Sequence, residues 1–205
     1  MSVQPIGIDL GTSTSVICAF IDGTPTPINS PLSFRQSAVV PSTVGWSRHT
    51  NEFVAGYLAG NERHQPDCYV EEVKRHMGTD LRLKLGPHSL RPQEVSALLL
   101  KKMIDGAAKT MQRGIVEAVI SVPANFKDAA RQATLDAAAI AGLKVPMLVA
   151  EPTAAALAFG IRHLDADERV LVFDFGGGTL DITLLQMCEG VIDVERVEGN
   201  AKLGG

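Results

Sequence analysis

Phe173-Asp174-Phe175-Gly176-Gly177-Gly178-Thr179 and Ile8-Asp9-Leu10-Gly11-Thr12-Ser13-Thr14 are two versions of one pattern, with Asp174 standing 165 positions after Asp9. In each, an apolar run ends on Asp, a turn of small residues and hydroxyls follows, and a second apolar run begins. Glycine lets the backbone approach a ligand closely, and successive N–H groups in such a turn form an anion-binding nest. The hydroxyls of Thr12, Ser13, Thr14 and Thr179 add donors. A carboxylate at the strand end is ill suited to a bare phosphate but suits a hydrated Mg2+ beside one. One copy alone reads equally well as a tight hairpin with an Asx turn. Two copies in matching context favour a pair of phosphate loops that clamp a polyphosphate and its metal from both sides. Neither is a P-loop, which needs G-x-x-x-x-G-K-[ST] ahead of a helix, and neither is a dinucleotide fingerprint.

Working outward, Val3–Leu10 and Val16–Ile21 read as strands, with Asp22-Gly23 as a hairpin signal after them. Thr24–Ser37, with its prolines and hydroxyls, reads as irregular, and Ala38–Trp46 and Glu52–Ala55 as short strands. Leu81–Arg91 reads as a connector. Pro92 then opens a helix in which Val95, Leu98, Leu99, Met103, Ala107 and Met111 recur at helical spacing. Val116–Val122 is a strand stopped by Pro123, Lys127–Ala141 an Ala-rich helix closed by Gly142, Val145–Ala150 a strand, and Pro152 opens a helix over 153–161. Asp165–Arg169 is a polar linker, and Val170–Phe175, Leu180–Met187 and Val191–Glu198 are three strands joined by tight turns. Strands alternating with helices from 116 to 161 imply an α/β domain with parallel pairing and right-handed crossovers there. No helix follows the last three strands, so one face of their sheet has nothing in these 205 residues to bury it, and the sequence reads as a piece of a longer chain. Open edges and uncovered apolar faces invite association, so self-association of the piece is expected.

Composition narrows the function. A 45% apolar fraction supports a real core, and a net charge of −4 supplies no general field for nucleic acid or an anionic membrane. Aromatics at 5% are too few for a base-stacking platform. No apolar run approaches the roughly 20 residues of a membrane span, and Met1–Leu10 is no secretory leader. Cys18, Cys68 and Cys188 lack metal-ligand spacing and read as reduced thiols of a cytoplasmic protein. His49, His64, His76, His88 and His163 lack ligand spacing too, and Trp46 reads as a packing residue.

Beyond the two turns, the residues carry a resemblance to the ATPase domain of the DnaK-type heat-shock chaperones, within the actin-like ATPase superfamily. Gly7-Ile8-Asp9-Leu10-Gly11-Thr12 resembles the family's first phosphate loop, and Asp174–Asp181 its second. Val119–Pro123, followed by Phe126, Asp128 and Arg131-Gln132-Ala133-Thr134, resembles the signature between them, and Ala141-Gly142-Leu143 with Glu151-Pro152-Thr153-Ala154-Ala155-Ala156 the connecting segment. The resemblance implies a two-lobed ATPase with a ribonuclease-H-like α/β fold in each lobe, a mixed sheet flanked by helices. Residues 1–163 would form the first lobe, with a small inserted α+β subdomain over about 39–115, and residues 168–205 the opening strands of a second. It implies ATP and ADP as ligands, Mg2+ and a potassium site as cofactors, and, in a full-length protein, a peptide-binding domain, a J-domain co-chaperone and an exchange factor as partners.

Roles follow the same resemblance, each beside a plainer one. Lys74, in Val73-Lys74-Arg75, resembles the lysine that reaches the γ-phosphate and attacking water; outside that context it reads as a solvated cation. Glu151 resembles a carboxylate that orients water on the metal, or else compensates a helix N-terminus. Asp9 and Asp174 would hold Mg2+ mainly through waters, Thr179 would offer the γ-phosphate hydroxyl, and Asp181 would lie near the attacking water and the potassium site. Gly11, Thr12, Ser13, Thr14, Gly176, Gly177 and Gly178 would cradle the phosphates. Arg75 reads either as a phosphate partner or as the partner of Glu71 or Glu72. Pro123 and Arg131 resemble positions that relay nucleotide state. Several positions depart from the family pattern: Ser13 and Thr14, the run His76-Met77-Gly78-Thr79, the short connector Asp80–Arg91, and Asn125 where an aromatic is frequent.

The reading is therefore an ATP-hydrolysing chaperone motor, with weak nucleotide affinity and negligible turnover expected of these 205 residues alone. A sugar kinase or a filament-forming, actin-like ATPase would share the two loops. The lysine motif and Glu151-Pro152-Thr153 argue against the kinase, and ATP-stimulated light scattering would mark the filament.

Overall fold

The computed structural model describes residues 6–160, 167–177, 179–189, 191–200 and 203–204, without the side chains of residues 159 and 160. Gly178, His163 and the expected boundary at residue 163 lie outside the described residues. The chain divides into two compact units, Met1–Ile120 with Lys127–Leu148, and Ser121–Phe126 with Val149–Gly205.

The first unit opens with β1 (Ile6–Leu10), β2 (Thr14–Ile21) and β3 (Thr24–Pro27), an antiparallel meander. Side chains alternate between faces along a strand, so Ile6, Ile8 and Leu10 are buried while Gly7 and Asp9 stand on the other side. Thr24–Pro27 is a strand rather than irregular chain: its two prolines are tolerated because β3 ends the sheet and donates to β2 on one side only. The expected strand over residues 38–46 is broken into β4 (Val40–Pro41), which pairs with β2, and β5 (Val44–Ser47). A small sheet is built on β5, with β6 (Glu52–Ala55) on one side and β7 (Tyr69–Val70) on the other.

Two 3-10 turns flank β7, Gly56–Glu62 before it and Val73–His76 after it, so Lys74 sits on a single tight turn. The stretch read as a connector holds a hairpin, β8 (Leu83–Leu85) and β9 (His88–Leu90). Trp46 packs edge-on against Phe53 and His88, with ring centroids 4.9 and 4.8 Å away, which makes it the packing residue expected.

Helix α1 (Pro92–Met111) starts where Pro92 fits an unpaired first position, and the Glu94 carboxylate accepts the Arg91 N–H at 2.6 Å. Its buried stripe, Val95, Leu99, Leu100, Met103, Ile104 and Ala107, packs on the Val73–His76 turn, on β5 and β6, and on α2 (Asp128–Ile140). Strand β10 (Ala118–Val122) precedes α2 in the chain. At the end of α2 the Leu143 N–H reaches the Ala138 carbonyl at 2.9 Å and the Gly142 N–H the Ala139 carbonyl at 3.0 Å, the closing bonds of a helix that stops on glycine. Strand β11 (Leu148–Ala150) completes a sheet of order β11-β10-β1-β2-β3, with β4 on β2; a parallel bridge between Glu117 and Lys144 makes it mixed.

In the second unit α3 (Glu151–Gly160) follows β11 with no intervening loop. It packs on β12 (Glu168–Phe175), which with β13 (Leu180–Cys188) and β14 (Val191–Asn200) forms a second antiparallel meander. One face of this sheet buries Thr183, Leu185 and Met187; on the other, Leu171, Phe173 and Phe175 are 63%, 62% and 56% exposed. The uncovered face expected from the absence of a following helix is thus present.

Candidate functional site

The sequence repeat is also a repeat of backbone register. Leu10 pairs with Ser15 across the first hairpin, and Phe175 with Leu180 across the second, so each connection spans four residues and each Asp sits one position further from the turn. Asp9 faces Val16, whereas Asp174 faces Asp181. A Cβ on Gly11 would fall on the Thr14 carbonyl oxygen, so the first turn closes only over glycine. The second turn is looser: the Gly176 N–H donates to the Thr179 carbonyl at 2.9 Å, and a Cβ on Gly176 would stand 3.6 Å from that oxygen, an ordinary contact.

In the first unit the turn is anchored from outside. The Ser42 N–H donates to the Ser13 carbonyl at 2.8 Å, and the buried hydroxyls of Ser15 and Ser42 lie 2.8 Å apart. Gly11 and Thr12 open onto a small, shallow cleft that Lys74, Ser42 and Ser96 also line, over an apolar floor of Leu10, Val44, Val73, Val95 and Leu99. Donors on the walls and hydrocarbon beneath suit an anion held at its edge, with the ammonium as its strongest partner. The structure thus brings Lys74 to Thr12 of the first turn from 62 residues away in the chain. Arg75 pairs with Glu72 at 3.1 Å, one of the two alternatives its sequence context left open. Asp9 adjoins Cys18: burial, with the Asp9 carboxylate adding to it, pushes that thiol up and keeps it protonated.

In the second unit Asp174, Asp181 and Thr179 share one hairpin, with Gly177 at its exposed turn. The Asn125 amide donates to Asp181 Oδ1 at 3.2 Å. Gly199, opposite Asp181 on β14, leaves the room that this carboxylate occupies: a Cβ there would come within 2.5 Å of it. Two carboxylates directly opposed across an antiparallel pair repel each other, and a cation at that edge relieves the repulsion. Among the described residues no three His, Cys, Asp or Glu side chains gather as a ligand cluster. That donor set fits a cation which keeps its water shell, as Mg2+ does, with one or two carboxylates per site. Glu151 occupies the first turn of α3, where its charge complements the helix terminus.

Sequence reasoning missed Ser42 and Ser96, which line the cleft through pairing and helix phase rather than through any motif, their hydroxyls engaged with Ser15 and with Met77 Sδ. It also read Asn125 only as a departure, without its bond to Asp181. A family model described as Hsp70 protein matches residues 79–205, well over half of the chain. That match takes in Glu151 and the second hairpin; the first hairpin and Lys74 precede it. The family binds ATP and ADP and works with chaperone partners. The chain belongs to the Hsp70 family, and the domain it carries is of the chaperone ATPase type.

Proposed function

We propose that both hairpins are phosphate loops for Mg·ATP, and that the chain carries the phosphate-handling part of an ATP-hydrolysing chaperone motor. The observation that carries this reading is the equal register of the two hairpins, Leu10 on Ser15 and Phe175 on Leu180, each with an Asp one position back. Each hairpin also opens a three-stranded meander, which supports an actin-like, ribonuclease-H-like architecture with residues 1–163 and 168–205 in different lobes and the insertion over about 39–115.

In this reading the backbone of Gly11, Thr12, Ser13 and Thr14 and that of Gly176, Gly177 and Gly178 bind phosphate oxygens, and the Lys74 ammonium meets the charge that develops on the transferred phosphoryl group. Bound Mg2+ neutralises part of the polyphosphate charge. Asp9 and Asp174 would hold Mg2+ mainly through waters, and Asp181 would serve a potassium site. Glu151 accepts a hydrogen bond from the attacking water and orients it; Thr179 donates to the γ-phosphate. A peptide-binding domain, a J-domain co-chaperone and an exchange factor are the partners such a motor serves.

Titration of Mg·ATP into the 15N-labelled chain tests the assignment. Amide shifts concentrated at Gly11, Thr12, Lys74, Gly176 and Thr179 are expected. Shifts confined to other residues would refute it.

A further inference from the structure

The core-facing positions of the first hairpin are Ile6, Ile8 and Leu10 on β1 and Ser15, Ile17 and Ala19 on β2. Five of them are apolar, and the sixth, Ser15, is polar and 0% exposed. Ser15 pairs with Leu10 beside the turn, and with Val40 of β4 on the other side of β2. Its hydroxyl meets that of Ser42, also buried, at 2.8 Å, and the Ser42 N–H donates to the Ser13 carbonyl at 2.8 Å. Ser42 therefore holds the residues on both sides of Thr14, one through its side chain and one through its backbone. Leu180 stands 165 positions after Ser15, at the same place in the second hairpin, so a hairpin of this register does not itself require a hydroxyl there.

A buried hydroxyl is destabilising unless it is partnered, and an apolar pair of similar shape would fill the same space with nearly equal stability. What the hydroxyl pair adds is direction: a hydrogen bond fixes the β4 segment against the turn at one distance and angle, where hydrocarbon contact tolerates sliding. β4 is only two residues long, so its backbone pairing with Thr14 and Ser15 gives little hold by itself. We propose that Ser15 and Ser42 form a hydroxyl latch that fixes the first turn for phosphate, so that the backbone of Gly11, Thr12, Ser13 and Thr14 is presented in one geometry. Both are positioning residues: Ser42 lines the cleft, but its hydroxyl is engaged with Ser15. The inference rests on the phosphate-binding reading of this turn.

The test compares the whole chain as wild type, Ser15→Ala, Ser42→Ala and the double variant Ser15→Ala/Ser42→Ala. Three quantities are read: melting temperature, hydrogen exchange of the residue 42 amide without nucleotide, and Mg·ATP affinity. Each single variant melts below wild type because one buried hydroxyl is left over, and the double variant recovers most of that loss. Exchange at residue 42, corrected for its intrinsic rate, becomes about three- to tenfold faster in all three variants, the double one included, as the net worth of one hydrogen bond requires. Mg·ATP affinity falls by about the same factor in all three. A purely structural pair would behave differently: exchange and affinity would return to wild-type values as stability returns in the double variant. That result would overturn the latch, and so would wild-type exchange in Ser42→Ala. Should exchange follow the latch pattern while no protein, wild type included, binds Mg·ATP, the nucleotide reading fails and the latch stands.

Discussion

Asp174 and Asp181 face each other directly across the antiparallel pair of β12 and β13, and Asn125 donates to Asp181 Oδ1 from 3.2 Å away. Opposed like charges in a sheet cost about 0.2–1 kcal/mol, which a fold retains where a cation gives the pair a use. Asp181→Asn removes the repulsion while keeping an acceptor for Asn125. The melting temperature without nucleotide or added cation should rise about 1–3 °C, and the stabilisation by Mg·ATP should shrink. A fall in the unliganded melting temperature would show that repulsion is not what the pair contributes.

The two turns respond differently to the same substitution. Gly11→Ala forces a Cβ onto the Thr14 carbonyl and should cost about 1–3 kcal/mol in urea denaturation, as overpacking does, while Gly176→Ala meets only an ordinary contact and should cost less than ~1 kcal/mol. Equal losses would mean that the first turn relaxes freely.

Arg63 Nη2 and the Tyr69 hydroxyl both reach Glu71 Oε2, at 2.7 and 2.8 Å, and this triangle adds a small term to each limb of a pH profile. The Glu71 carboxyl lies below its ordinary 4.5, so its contribution is present above that value and is lost as pH falls through the lower folded-state value. Burial first, and the bond to Glu71 second, push Tyr69 above 10.0, so its contribution is full below pH 10.0 and is lost as pH rises through the raised value. Both side chains are largely solvated, so each limb amounts to less than ~1 kcal/mol. Stability measured against pH should lose a small part of its acid-side dependence in Glu71→Gln and of its alkaline dependence in Tyr69→Phe. Unchanged profiles would dissolve the triangle.

Leu171, Phe173 and Phe175 form an exposed apolar row on an edge strand, a template for association. Sedimentation across a concentration series should show dimers or larger species, and Phe173→Glu should shift the population towards monomer. A wild-type monomer at every concentration would contradict this.

Legibility tracked how local each signal was. Asp22-Gly23 marked its hairpin, Pro92 and Gly142 marked helix ends, and the alternation through residues 170–198 marked three strands that formed as read. Thr24–Pro27 escaped because two prolines argue against a strand, and only its place at the sheet edge permits them. The Leu83–Leu90 hairpin escaped because three-residue strands are too short to show a period. The repeat of Asp9 and Asp174 was legible because composition alone carries it. Lys74 met the first turn through contacts made by α1 and β5, and Ser42 and Ser96 entered the cleft by packing, so only the resemblance pointed to the lysine and nothing pointed to the serines.

The central claim, that the first hairpin and Lys74 form a phosphate–metal site, is tested most directly by isothermal titration of Mg·ATP into the chain, with Asp9→Asn and Lys74→Ala alongside. The account predicts weak but saturable heat in the wild type, its loss in Asp9→Asn, and about tenfold weaker binding in Lys74→Ala. Indistinguishable isotherms for all three proteins, or no saturable heat in the wild type, would contradict it.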